Sequence, residues 1–201
     1  MPLTLSRSFL VNVLPGFVAI APWIILVAVH FPQFATLYEK FSTVVNGALV
    51  GAAILVGAVL ETAMGYLENR WDEKVPTEAG LEEDWYEYLS IEVEKDRPIG
   101  FEYISRQVTS LYFELTMIPA SFLFFVGVGL LPRVMFHAPS AIYPILGTLA
   151  AIASAWMFKK TARHSFDILF RTRKELVSRI KKARAERLAA RGPTGPGTAG
   201  A

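Results

Sequence analysis

Two stretches decide how this chain folds: Val44–Leu67, VVNGALVGAAILVGAVLETAMGYL, and Val108–Leu131, VTSLYFELTMIPASFLFFVGVGLL. Each is apolar for longer than the roughly 20 residues that carry an α-helix across about 30 Å of hydrocarbon. Each also holds one glutamate, Glu61 in the first and Glu114 in the second. A carboxyl group at membrane depth is costly, so each one calls for a partner or a purpose.

Working outward, two more apolar blocks complete the set, about Phe9–Phe31 and about Ala141–Phe158. The apolar residues are bunched, not spread at amphipathic spacing, and the mean hydropathy of +0.38 goes with a hydrophobic content of 53%. That is the pattern of an all-α membrane protein with four transmembrane helices. The first block is read as a retained helix and not a cleaved leader. Its leading segment carries only Arg7, its apolar run is too long, and His30-Phe31-Pro32-Gln33 is no small-residue cleavage site.

Charge sets the predicted orientation. The linkers 32–42 and 132–140 hold one basic residue each, Lys40 and Arg133, whereas residues 68–107 hold five and the tail after Phe158 holds twelve. The positive-inside rule then puts both termini and the central loop in the cytoplasm. A bacterial inner membrane suits the small size and short loops. The expected organisation is a first hairpin over 1–67, an acidic loop over 68–107, a second hairpin over 108–158, a basic amphipathic helix over 159–191, and a low-complexity tail over 192–201. The loop holds twelve acidic residues, and Trp85, Tyr88 and Leu89 at helical spacing predict a short loop helix beside the membrane. The tail segment carries an apolar stripe with arginine and lysine on the other face. Lys159, Lys160, Arg163, Arg171, Arg173 and Lys174 are the residues expected to meet anionic lipid headgroups or to dock on the acidic loop. A protein partner on that loop is a further expectation, while nothing resembles a nucleic-acid recognition motif.

The small residues of the spans predict close helix contacts: Gly47 with Gly51, Ala53 with Gly57, and Gly147, Ala151 and Ala155. They fit packing inside one bundle and, equally in kind, an interface in a homo-oligomer. Pro15, Pro22, Pro119 and Pro144 are expected to bend spans one, three and four.

The candidate site follows from depth. Spans two and three run antiparallel, so Glu61 and Glu114 are expected at a similar shallow level on the cytoplasmic side, with Asn12 beside them. Glu102, Arg106, Ser110 and Glu114 recur every four residues and share a helix face. This predicts an intramembrane polar cluster of Asn12, Glu61, Arg106, Ser110 and Glu114. It could act as a clasp of opposite charges, as a proton or cation path, or as a pair of catalytic carboxylates.

Composition excludes other chemistry. There is no cysteine, so disulfides, thiolate metal sites and cysteine nucleophiles are ruled out. His30, His137 and His164 are scattered, no metal site is expected, and no motif for a nucleotide, a serine nucleophile or a zinc protease is present. No cofactor is implied. The reading is a small multi-pass membrane protein, oligomeric, serving as a pore-like or scaffolding component. The alternative is a small enzyme working on a lipid or lipid-linked substrate at the cytoplasmic face through Glu61 and Glu114.

Overall fold

The computed structural model describes residue 7 and residues 9–72, 99–136 and 141–190. Among them there is no strand. A π-helical turn, Phe9–Val13, runs into α1 (Leu14–His30); α2 (Gln33–Asp72), α3 (Ile99–Met135) and α4 (Ile142–Ala190) follow. Four stretches are long and apolar enough to cross a membrane: Phe9–His30, Gln33–Trp71, Ser105–Met135 and Ile142–Thr172. The expected loop helix around Trp85 lies outside the described residues.

Each helix end has a local cause. Phe31 precedes a proline and is extended (φ −120°, ψ 89°), which stops α1. Pro32 then opens α2 at a point where a missing N–H costs nothing, and the Phe34 N–H bonds back to the Phe31 carbonyl at 2.8 Å. The expected linker 32–42 is therefore mostly helical, broken from the span only at Phe41 (φ −135°, ψ 39°). Span three likewise continues past Leu131. Pro132 lacks a donor but its carbonyl still accepts from the Phe136 N–H at 3.1 Å, which adds a last turn.

The largest departure from the sequence reading is α4. A span and a separate basic helix were expected on either side of residue 158, but one helix of 49 residues runs from Ile142 to Ala190. The chain from 148 to 190 contains neither glycine nor proline and is rich in alanine, leucine, lysine and arginine, so nothing interrupts it. Pro144 sits in the first turn of α4, where its lost N–H has no intrahelical partner to forfeit, and so gives no reason for a bend.

The chain forms two compact units. The first comprises 1–75 and 106–166 and holds most of each span. At its centre Ala19 of α1 and Ala120 of α3 meet Leu60 of α2, with Val18, Val56, Met117 and Leu123 packed around them. Backbones approach closely at glycines. A Cβ on Gly16 would stand 1.8 Å from the Ala53 carbonyl oxygen, and one on Gly57 would stand 1.8 Å from the Asn12 carbonyl oxygen. The two contacts are reciprocal, and they lock α1 against α2 through the Ala53–Gly57 pair. Gly127 meets the Pro22 ring, joining α3 to α1, and Gly129 and Gly147 meet one another, joining α3 to α4. Gly47 and Gly51, by contrast, have nothing within 4 Å of an added Cβ.

Hydroxyl groups in the spans bond back to their own helix. Thr62 donates to the Ala58 carbonyl, Thr116 to those of Tyr112 and Phe113, and Ser154 to that of Ala151. These donors need no water, which suits an apolar surround. The outward surface is itself apolar: Val44, Leu55 and Val59 of α2 and Ile145, Leu149, Ile152 and Trp156 of α4 are all exposed. Only 6% of the α4 apolar window is buried. Water would not tolerate so continuous a patch, whereas a bilayer or further protein would.

The second unit comprises 76–105 and 167–201. Within it the later turns of α4 carry an exposed Arg179–Glu175 ion pair at 2.7 Å, one turn apart.

Candidate functional site

The antiparallel register of α2 and α3 is fixed by two pairs, Leu60 with Ala120 in the core and Glu68 with Tyr112 nearer the charged end. Counting from them, residues 61 and 114 lie within about 8 Å of the same level along the helix axes. The Tyr112 hydroxyl donates a hydrogen bond to the Glu68 carboxylate, and Glu61 and Arg7 act on it through space. Glu61 and Glu68 are seven residues apart, two turns along one face of α2, which is why both address the same phenol.

Glu114 stands differently. It is two residues from Tyr112, about 200° round the helix, so the two side chains leave α3 in nearly opposite directions. It is not among the groups acting on Tyr112. Its Oε1 accepts a long hydrogen bond from the Ser110 hydroxyl, 3.5 Å, while its Oε2 is buried with no donor among the described residues. Its neighbours on α3, Leu111 and Leu115, are fully buried. The Asn12 backbone, in the π-helical turn, packs directly against Gly57, and its Oδ1 is also buried with no donor among the described residues. A π turn inside a helix is often found at functional positions.

Of the residues expected to form one cluster, Ser110 joins Glu114, Asn12 sits against α2, and Glu61 acts on Tyr112 only through space while Glu68 bonds it. Arg106 is exposed, and among the described residues no hydrogen bond or ion pair connects it to Glu61 or Glu114. The Glu102 side chain lies outside the described ones. Sequence reasoning missed Arg7, Glu68 and Tyr112. The seven-residue spacing of Glu61 and Glu68 is the signal that could have found the second glutamate.

A second grouping lies where α2 ends. Trp71, 6% exposed, packs edge-to-face on Phe166 of α4 with ring centroids 5.7 Å apart, and the Arg163 guanidinium lies 5.3 Å from its ring centre. One turn earlier the Lys160 ammonium lies 5.7 Å from the Trp156 ring. Trp71, Trp156, Lys159, Lys160 and Arg163 line a recess of about 360 Å³. Arg171 and Lys174 are exposed further along α4, and the Arg173 side chain lies outside the described ones. At the other end of α1 and α3 a second recess, about 340 Å³, is bounded chiefly by Trp23, Val27, His30, Leu130 and Arg133.

Among the described residues no group of three or more histidines, aspartates and glutamates is placed to hold a metal ion. No family model, no characterised protein and no solved structure matches this chain. The described architecture is that of a small helical bundle with four helices able to span a membrane.

Proposed function

We propose that this chain is a multi-pass integral membrane protein of a bacterial inner membrane, with both termini cytoplasmic. In this reading several copies assemble into a channel-like unit, and its intramembrane carboxylates take up and release a proton or small cation. One observation carries the ion reading: Asn12 Oδ1 and Glu114 Oε2 are buried among apolar helices as acceptors with no donor among the described residues. An acceptor left alone in a low dielectric is costly, and a positive species is its natural complement. Glu61 and Glu68, gathered near Arg7, add to the negative character of the same end of the bundle. The separate settings of Glu61 and Glu114 weigh against the enzymatic alternative, which requires both carboxylates on one reacting bond.

Assembly is supported by the surface. The apolar window of α4 is only 6% buried, and the Gly47–Gly51 face of α2 is open to a close neighbour. Mass measurement in nanodiscs should give a defined multimer; a monomer at every protein-to-disc ratio would remove the channel reading.

The direct test is flux. Full-length protein in liposomes carrying a pH-sensitive dye, under an imposed cation gradient, should conduct protons or small cations. Glu114→Gln keeps the shape but cannot ionise, and should reduce that flux at least about tenfold while eluting like the parent protein. Flux no greater than in protein-free vesicles, or a Glu114→Gln protein that conducts as well as the parent, would overturn the reading.

A further inference from the structure

We infer that the recess between the end of α2 and α4 is a binding site for one anionic phospholipid. Its phosphate would sit among Lys159, Lys160 and Arg163, and an acyl chain would lie along α4. The inference rests on the membrane-spanning reading above but not on ion conduction.

Three features make this a formed site and not a diffuse basic surface. First, among the described residues its lining is chemically one-sided: three cations, two indoles and no carboxylate, in a recess of about 360 Å³. That is the complement of a phosphodiester, whose charge the cations meet and whose oxygens can accept from ammonium, guanidinium and indole N–H groups. Second, the site is preorganised. Trp71 is held by Phe166, Arg163 is stacked on Trp71, and Lys160 is stacked on Trp156, so two of the cations are steered by aromatic faces before any ligand arrives. Third, it lies at a membrane boundary. Trp156 and Lys160 end an exposed apolar stripe, Ile145, Leu149, Ile152 and Trp156, spaced three or four residues apart along one face of α4. A tryptophan pair at the junction of an apolar stripe and a cationic cluster has the layout of an aromatic belt at headgroup level.

The stripe decides between sources of the same anion. Free phosphate would satisfy the cations but leave the apolar path unused. A phospholipid engages both, with the headgroup in the recess and hydrocarbon on the stripe. Zwitterionic lipid supplies the chain but brings its own cation against Lys159 and Lys160.

Native mass spectrometry of delipidated full-length protein, titrated with phosphatidylglycerol or phosphatidylcholine, tests the site. The parent protein should retain phosphatidylglycerol in clear preference to phosphatidylcholine. The exposed pair K159Q/K160Q should lose that preference, with affinity for phosphatidylglycerol falling at least about tenfold. The pair K181Q/K182Q removes the same charge further along α4 and should bind as the parent does. Inorganic phosphate at the same concentration should not displace the lipid. Equal retention of the two lipids by the parent, equal losses in the two double variants, or displacement by inorganic phosphate would each overturn the assignment. A negative flux experiment leaves all of these readouts standing, so the two readings fail separately.

Discussion

Gly57→Ala should lower the unfolding temperature of the detergent-purified protein, whereas Gly47→Ala should leave it unchanged or raise it. Replacing glycine by alanine inside a helix ordinarily stabilises by roughly 0.5–1 kcal/mol, because glycine loses more backbone freedom on folding. At Gly57 that gain is overwhelmed. The new methyl would stand 1.8 Å from the Asn12 carbonyl oxygen and 2.6 Å from its carbon, and both are backbone atoms with no rotamer to yield. Only a shift of α1 away from α2 relieves the clash, and that shift also opens the reciprocal Gly16–Ala53 contact. Forcing extra volume into a packed contact costs about 1–3 kcal/mol or more. For a chain of this size the loss corresponds to a fall of several degrees, roughly 2–4 °C for each kcal/mol. At Gly47 the added methyl meets nothing within 4 Å, so only the propensity term acts on the protomer. Scanning the unfolding of both variants by circular dichroism checks the opposite signs. Equal behaviour of the two would show that α1 and α2 do not meet at Gly57.

Trp71→Ala should be the most damaging single truncation at the charged end of the bundle, with Trp71→Phe far milder. The ring is 6% exposed and rests edge-to-face on Phe166, itself 5% exposed. Removing a buried tryptophan costs about 3–5 kcal/mol, and the Arg163 guanidinium additionally loses the aromatic face beneath it, worth about 0.5–2 kcal/mol. Phenylalanine keeps a ring against Phe166 and a face for Arg163. Thermal unfolding together with limited proteolysis around residues 66–72 should show early release of the end of α2 in the alanine protein alone. Similar stability of the two proteins would mean that Trp71 is held by nothing but solvent and lipid.

The four spans were legible in the sequence because each is a block of apolar residues, and a block needs no partner to be recognised. The sequence divides this stretch at 158 into a span and a basic helix, and one helix, α4, carries both. The change from apolar to basic residues near 158 marks a change of surroundings, while a helix ends only where the backbone loses donors or gains freedom. Neither glycine nor proline occurs there. The linker 32–42 reads as a loop by composition, yet Pro32 stands where a helix can start, and α2 begins directly after it.

The polar residues divide in the same way. Spacing along one helix is a property of sequence, so Ser110 and Glu114 could be placed together from their numbers alone. Glu68 and Tyr112 could not, since the pairing depends on how α2 is rotated against α3. That rotation is set by Leu60, Ala120 and Ala19 in the core.

By itself the sequence determined that there are four membrane-length helices and that carboxyls lie within two of them, because hydrocarbon length and helix rise are fixed quantities. Only the tertiary structure decided which glycines face a neighbour, that Tyr112 bonds Glu68 while Glu114 keeps an oxygen unmatched among the described residues, and that Trp71 and Trp156 frame the basic residues of α4. The physical reason is that a small-residue motif or a charged residue specifies what it can tolerate beside it, and helix rotation specifies what is beside it.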